Sequence, residues 1–202
     1  KPTLFIAISK EEAKEKLTQF LSTYKDHLDK KLFEDQKEAN TEKYIEVLLE
    51  NLGWERLTDL ERQHNVAKGR ADYSVNLNGN PYFFVEVKKY SEDLNSHKKQ
   101  AIDYAWQAGI KWVILTNLRE IIVYNSQYKG SSEDILRLFL PIKIEELLDR
   151  FDDLWILSKP AAEENLIEKR AIVTSKVKIK EPITVLSSAL ITWRSKLTKE
   201  MK

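Results

Sequence analysis

Two runs rich in Val, Tyr and Phe, Ala71–Leu77 and Tyr82–Lys88, flank Asn78-Gly79-Asn80. An Asn-Gly step between such runs is a strong local signal for a β-hairpin, because both residues tolerate the positive φ that tight turns need. The register then follows from burial, since a slip of one residue turns every side chain to the other face. A two-residue loop pairs Leu77 with Asn80 and Asp72 with Val85, which sets a carboxylate on the face that carries Phe83. A three-residue loop pairs Leu77 with Pro81 and Asp72 with Glu86, and gathers Tyr73, Val75, Leu77, Phe83, Val85 and Val87 on one wholly apolar face. The apolar face selects the second register, reached by the longer loop or by a two-residue turn with a bulge that has the same effect.

In that register Asp72 and Glu86 are cross-strand neighbours, and Lys88, two residues on, points the same way. Facing carboxylates repel unless positive charge lies between them. A divalent metal would supply it, and hard oxygen ligands without His or Cys suit Mg²⁺ or Mn²⁺ better than zinc. A metal so held can polarise a phosphate and acidify a bound water, while the nearby ammonium orients the water or offsets charge in the transition state. The same three residues would also serve as an ordinary salt bridge on a surface hairpin.

The remaining pattern predicts an α/β fold. Apolar residues at spacings of three and four mark an amphipathic helix over Lys10–Lys31 and another over Ala39–Leu52, closed by Gly53. After the hairpin come a helix over His97–Ala108 ending at Gly109, strands over Trp112–Thr116 and Glu120–Tyr124, and a further strand at Ile135–Leu140. Helices then return at Ile144–Leu157, Pro160–Lys169 and Ile183–Lys199. Helices, strands with one inserted helix, then helices imply a mixed sheet flanked by helices with a helical C-terminal extension, divided near Pro141. Trp54, Trp106 and Trp112 lie on apolar patterns and are expected in the core.

Composition narrows the classes. The net charge of +1 argues for no particular partner, but from Lys169 onward nine basic residues face two acidic ones, so a basic tail follows an acidic body. With no cysteine, disulfides, thiolate metal sites and cysteine nucleophiles are excluded, which suits a cytoplasmic location. The three histidines are too scattered for a His-rich metal site, and no apolar run reaches the roughly 18 residues that a membrane span needs.

Taken in order, the motifs resemble one family. Glu38-Ala-Asn-Thr41 leads into Tyr44-Ile-Glu-Val-Leu-Leu49 and Leu52-Gly-Trp54; Gly69-Arg-Ala-Asp72-Tyr and Val85-Glu-Val-Lys88-Lys follow; then come Gln100-x-x-x-Tyr104 and Trp112-Val-Ile-Leu-Thr-Asn117. Residues 38–124 thereby resemble the PD-(D/E)xK nuclease superfamily, most closely the N-terminal nuclease domain of type I restriction R subunits and of fused type IIG restriction-modification enzymes. The superfamily's Pro is replaced by Ala71. The resemblance implies a restriction-endonuclease-like fold and hydrolysis of DNA phosphodiesters without a covalent intermediate. Asp72, Glu86 and the carbonyl of Val87 would bind Mg²⁺ (or Mn²⁺), and Lys88 would assist the attacking water. Glu38 and Glu42, four apart on one helical face, are both candidates for the upstream acid, and the motif match favours Glu38. Gln100 and Tyr104 would support the site or touch the DNA backbone, and Arg70, Lys89, Lys98 and Lys99 could meet phosphates.

Phe151-Asp-Asp-Leu-Trp155-Ile-Leu-Ser-Lys159 and Ile191-Thr-Trp-Arg194-Ser-Lys-Leu197 resemble the helical connector of fused type IIG enzymes, which leads to a methyltransferase and a target-recognition domain. Residues 1–141 are therefore expected to form the nuclease domain and 142–202 the connector, with the tail stripe Leu186, Leu190, Trp193, Leu197 packing on a neighbouring domain. The alternatives are a nuclease-like DNA-binding or scaffold domain whose activity has lapsed, against which the intact Asp72, Glu86, Lys88 set argues, and a structure-specific nuclease of the junction-resolvase type.

Overall fold

The computed structural model of the protein describes residues 7–33, 38–66, 69–129, 131–132, 136–174, 190 and 193. Helix α1 (Lys10–Asp29) begins where the Ser9 hydroxyl accepts the Glu12 N–H and buries the stripe Ala13, Leu17, Phe20 and Tyr24. Helix α2 (Glu38–Asn51) buries Ile45, Leu48 and Leu49 and stops at Gly53, whose φ of +89° suits a residue without Cβ. A Cβ at Gly53 would also lie 2.7 Å from Ile8 Cγ2.

Strands β1 (Leu60–Val66), β2 (Gly69–Leu77) and β3 (Asn80–Val87) precede helix α3 (Lys98–Gln107), and β4 (Trp112–Thr116), β5 (Glu120–Asn125) and the two-residue β6 (Ile142–Lys143) follow it. They form one six-stranded sheet in the order β1-β2-β3-β4-β5-β6. Only β3 and β4 are parallel, and α3 is the crossover that this requires. The fold is thus a mixed sheet with helices on both faces. Tyr73, Val75, Phe83, Val85 and Val87 of the hairpin pack in the larger core with α1 and α2, while Phe84, Val113 and Leu115 pack in a second core with Ala101, Ile102 and Ala105 of α3. Beyond Pro141, Ile142, Ile144, Leu147 and Phe151 belong to the larger core as well, as do residues of helices α4 (Phe151–Trp155) and α5 (Lys159–Glu163). Among the described residues no helix is long and apolar enough to cross a membrane.

Several sequence expectations are corrected. Strand β1, Leu-Glu-Arg-Gln-His-Asn-Val, is an edge strand whose side chains stay mostly in water, so it carries no alternating apolar signal. The strand expected at Ile135–Leu140 is only a bridge between Arg137 and Tyr124 among the described residues; the chain turns away and β5 is met again by β6, beyond Pro141, which has no N–H for a ladder. Of the helix expected over Ile144–Leu157 only Phe151–Trp155 is α-helical; Ile144–Glu146 is a single 3-10 turn, and the chain turns until Arg150 (φ −106°, ψ 30°), whose guanidinium donates to the carbonyls of Leu140 and Pro141. The one expected over Pro160–Lys169 is interrupted by Asn165 at φ +55°, and helical backbone resumes over 166–174. Trp54 and Trp112 are buried as expected, but Trp106 is 55% exposed, capped by the Lys129 ammonium 4.9 Å from its ring centroid. Of the expected helix Ile183–Lys199, all but residues 190 and 193 lies outside the described residues.

Candidate active site

The hairpin reaches the inferred register by its second route. Leu77 pairs with Asn80 across Asn78 (φ +52°) and Gly79 (φ +78°), a two-residue turn, and the pairing then shifts between Asn76 and Val75 so that Val75 faces Phe83 and Tyr73 faces Val85. Tyr82 is the residue left over. One step beyond Tyr73 and Val85 the same alignment sets Asp72 beside Glu86.

Asp72 occupies a break in the sheet. Across from it in β1, the ladder pairs Arg62 with Tyr73 and His64 with Ala71 but skips Gln63, which has φ +53°. Ala71 and Tyr73 are two apart and should share a face, yet Ala71 lies in the α3 core and Tyr73 in the α1–α2 core. Strand β2 is therefore kinked at Asp72. The kink turns the carboxylate toward β3, where Oδ2 accepts the Val87 N–H at 2.8 Å, a donor that the β2–β3 ladder leaves beyond its end.

Lys88 continues β3 by one backbone bond, its N–H to the Thr116 carbonyl at 2.8 Å. Its side chain, 9% exposed, places Nζ 2.8 Å from Glu86 Oε1 and 3.9 Å from Asp72 Oδ2. Glu86 is braced from the other side by α3, where Gln100 Nε2 donates to Glu86 Oε1 at 3.4 Å and to the Tyr104 hydroxyl at 3.2 Å. Tyr104 lies against Gly69: a Cβ there would be 2.5 Å from Oη. Gly69→Ala is accordingly expected to push the Tyr104 ring aside and break the Tyr104–Gln100–Glu86 chain, with loss of about 1–2 kcal/mol in chemical denaturation; unchanged stability and an unmoved ring in a crystal structure of the variant would exclude this.

The electrostatics follow from burial. Desolvation, reinforced by the Asp72 charge and opposed by Lys88, pushes Glu86 up to about 7. Burial also raises Asp72, with the Val87 N–H and Lys88 working against it and Glu42 adding to it. Glu38, at the start of α2, is raised by burial and by Asp72 and lowered by Lys88, which places it within electrostatic reach of the cluster. Burial alone would lower Lys88, but Glu86, Asp72 and Glu38 hold it above the usual lysine range. Asp72 and Glu86 thus share one ammonium, with Glu38 within electrostatic reach, and hard oxygen donors of this kind are the type that Mg²⁺ or Mn²⁺ takes. Among the described residues no three acidic or histidine side chains form a ready-made ligand cage, and Lys88 Nζ holds the place between Asp72 and Glu86.

The other sequence candidates scatter around this centre. Glu42 reaches the Tyr73 hydroxyl at 3.5 Å. Arg70 is exposed and donates to Gln63 Oε1 at 3.1 Å; Lys89 is exposed near Glu92. Lys98 and Lys99 line a cleft with Ile102, Asp103, Lys129 and Leu136. Sequence reasoning missed Glu46, buried at 2% exposure among Arg56, Arg62 and Tyr73, although its spacing from Glu38 and Glu42 continues one helical stripe.

A mixed sheet of this topology, with Asp, Glu and Lys meeting at the ends of its central hairpin, defines the restriction-endonuclease-like class. More particularly, the chain belongs to the family of type I restriction enzyme R protein N termini, which matches residues 36–139, about half of the 202 residues; it is a restriction-enzyme N-terminal nuclease domain by family. Among solved structures it is similar to a fragment described as an HsdR subunit of a type I restriction enzyme from Vibrio vulnificus YJ016, at 22% identity and TM-score 0.42, over 57% of this chain and 25% of that one. It is also similar to the DrdV–DNA complex (10% identity, TM-score 0.48, covering 71% of this chain and 96% of that one) and to the type IIG restriction endonuclease BpuSI (12%, 0.37, 86% and 18%). The chain thus spans a quarter of the length of the first of these. No curated protein sequence matches it.

Proposed function

We propose that the chain is the endonuclease module of a restriction enzyme and hydrolyses DNA phosphodiesters with Mg²⁺, for which Mn²⁺ can substitute. The observation that carries the reading is the convergence of Asp72, Glu86 and Lys88, at 2.8 and 3.9 Å, in a member of this family. Asp72, Glu86 and the main-chain carbonyl of Val87 would hold the metal, with Glu38 as the upstream acid. When bound, the ion supplies Lewis-acid polarisation of the phosphate and lowers the pKa of a bound water.

The chain's own groups do the rest. The Val87 N–H fixes Asp72, and Gln100 with Lys88 fixes Glu86, so neither carboxylate has to be ordered when substrate arrives. Lys88 is ammonium throughout the neutral range, with one N–H on Glu86 and others left to orient the attacking water and to bond a non-bridging phosphate oxygen. Arg70, Lys89, Lys98 and Lys99 are proposed to contact the DNA backbone, with Tyr104 holding Gln100 in place. Such contacts give affinity and register but carry no sequence information. Residues 142–202 are proposed as the connector to methyltransferase and target-recognition domains of a longer chain.

Duplex DNA binding by the chain, followed by fluorescence anisotropy, is expected to be weak and to fall by about three orders of magnitude between 50 and 200 mM salt if some six phosphates are contacted. Plasmid nicking in Mg²⁺ or Mn²⁺ is expected to be slow, without site preference and abolished by EDTA. Glu38→Ala should cost more activity than Glu42→Ala. Nicking that survives EDTA would sink the metal-dependent reading, and cleavage at one sequence would place base recognition within these residues.

A further inference from the structure

We propose that Glu46 is a positioning residue for the candidate metal-binding carboxylate Asp72, acting through Tyr73 and Arg62; its bearing on catalysis rests on the nuclease reading above. Glu46 belongs to the buried stripe of α2 beside Ile45, Leu48 and Leu49. Its Oε1 accepts the Tyr73 hydroxyl at 2.8 Å and is ion-paired with Arg62, and its Oε2 is 2.6 Å from Arg56 Nη2. Tyr73 and Arg62 face each other across β1 and β2 as the pair immediately before the ladder skips Gln63 and Asp72, and the Arg62 guanidinium lies 5.9 Å from the centroid of the Tyr73 ring.

One carboxylate therefore grips both strands at the residues where the kink begins. It does so from the helix that carries Glu38 two turns earlier. An apolar side chain would bury the same stripe at a lower desolvation cost. What the carboxylate adds is direction: it draws the Tyr73 side chain toward α2, while Ala71 stays in the core on the opposite face, and Asp72 between them is left aimed at the Val87 N–H. The kink cannot be set by the β1–β2 ladder, which has no pair at Asp72.

The Val87 amide reports this aim without any metal, because its hydrogen bond is to the Asp72 carboxylate. In the metal-free chain, hydrogen exchange read residue by residue by NMR is expected to accelerate about tenfold or more at Val87 in Glu46→Gln and in Tyr73→Phe, while Ile114 and Val123 in the centre of the sheet change less than about twofold. Tyr73→Phe keeps the ring and loses only the hydroxyl, so it reads the same link if Glu46→Gln fails to fold. Mn²⁺ affinity, measured by titration calorimetry, should fall about tenfold in each variant, the scale for losing a partner that orients a metal ligand. Val87 moving only in step with Ile114 and Val123 would make Glu46 a plain stability residue and overturn the proposal, as would Mn²⁺ affinities equal to wild type. If Val87 responds selectively but the wild-type chain binds no Mn²⁺, the positioning role stands and the metal-dependent function fails.

Discussion

Alanine at Asp72, Glu86 or Lys88 is expected to lower Mg²⁺-dependent cleavage of duplex DNA by roughly a hundredfold or more, the usual scale for removing one charge-stabilising group from a reacting centre. The three losses have different origins. Glu86→Ala removes a carboxylate that is 2% exposed and leaves Lys88 without its nearer partner, with Asp72 at 3.9 Å. Asp72→Ala also strands the Val87 N–H at the end of β3, so Asp72→Asn, which keeps an acceptor there, is the cleaner loss of charge. Lys88→Ala deletes the one ammonium that, among the described residues, lies within 4 Å of both carboxylates, and leaves two like charges facing each other. Far-ultraviolet circular dichroism should match wild type in all three, since the cores on either side of the sheet do not include these side chains. Cleavage at wild-type rates by all three variants would show that the hairpin cluster is a structural salt bridge and that any nuclease centre lies elsewhere.

The part of this site legible in the sequence was the part governed by period-2 alternation. The apolar face of Tyr73, Val75, Phe83, Val85 and Val87 admitted one register, and that register brought Asp72 to Glu86 and Lys88 whichever turn achieved it. The helices α1 and α2 were legible for the corresponding reason at period 3.6. What escaped was whatever departs from a period. The kink at Asp72 depends on Gln63 adopting a positive φ in a neighbouring strand that is itself too polar to announce a strand. Glu46 reads as one more acid on a helix with several, and only its arginine partners, which arrive from β1 and the loop before it, show it to be buried. The breaks at Arg150 and Asn165 come from tertiary bonds and one left-handed residue within otherwise helical patterns. Trp106 failed for a different reason: an apolar residue on an apolar pattern was assigned to the core, whereas it stays more than half exposed beneath the Lys129 ammonium.

In the absence of divalent metal the protein is expected to lose stability as pH rises from about 5 to about 7.5, and Glu86→Gln is expected to abolish most of that loss. An ordinary glutamate in the unfolded chain titrates near 4.5, whereas burial and the Asp72 charge place Glu86 at about 7 in the folded protein. Between these values the folded state binds more protons than the unfolded one, so unfolding free energy falls with rising pH. The full difference corresponds to about 3 kcal/mol at 1.36 kcal/mol per pH unit, with no discount for solvent because the Glu86 side chain is 3% exposed. Below 4.5 both states are protonated and the difference vanishes. Asp72 and Glu38, also raised by burial, add to the slope with the same sign, and Lys88, raised above the lysine range, contributes stability that is lost only at alkaline pH. At pH 8 in EDTA, Glu86→Gln should therefore melt higher than wild type by several degrees, since about 1 kcal/mol moves the midpoint by 2–4 °C in a chain of this size. At pH 5 the two should nearly coincide. Adding Mn²⁺ should raise the wild-type midpoint more at pH 8 than at pH 6, because protons compete with the ion for the same carboxylate, and should do little for Glu86→Gln. A wild-type midpoint that climbs or stays level from pH 5 to 7.5 in EDTA would mean that Lys88 neutralises Glu86 fully in the folded protein, and the charge deficit on which the proposed metal site rests would not exist.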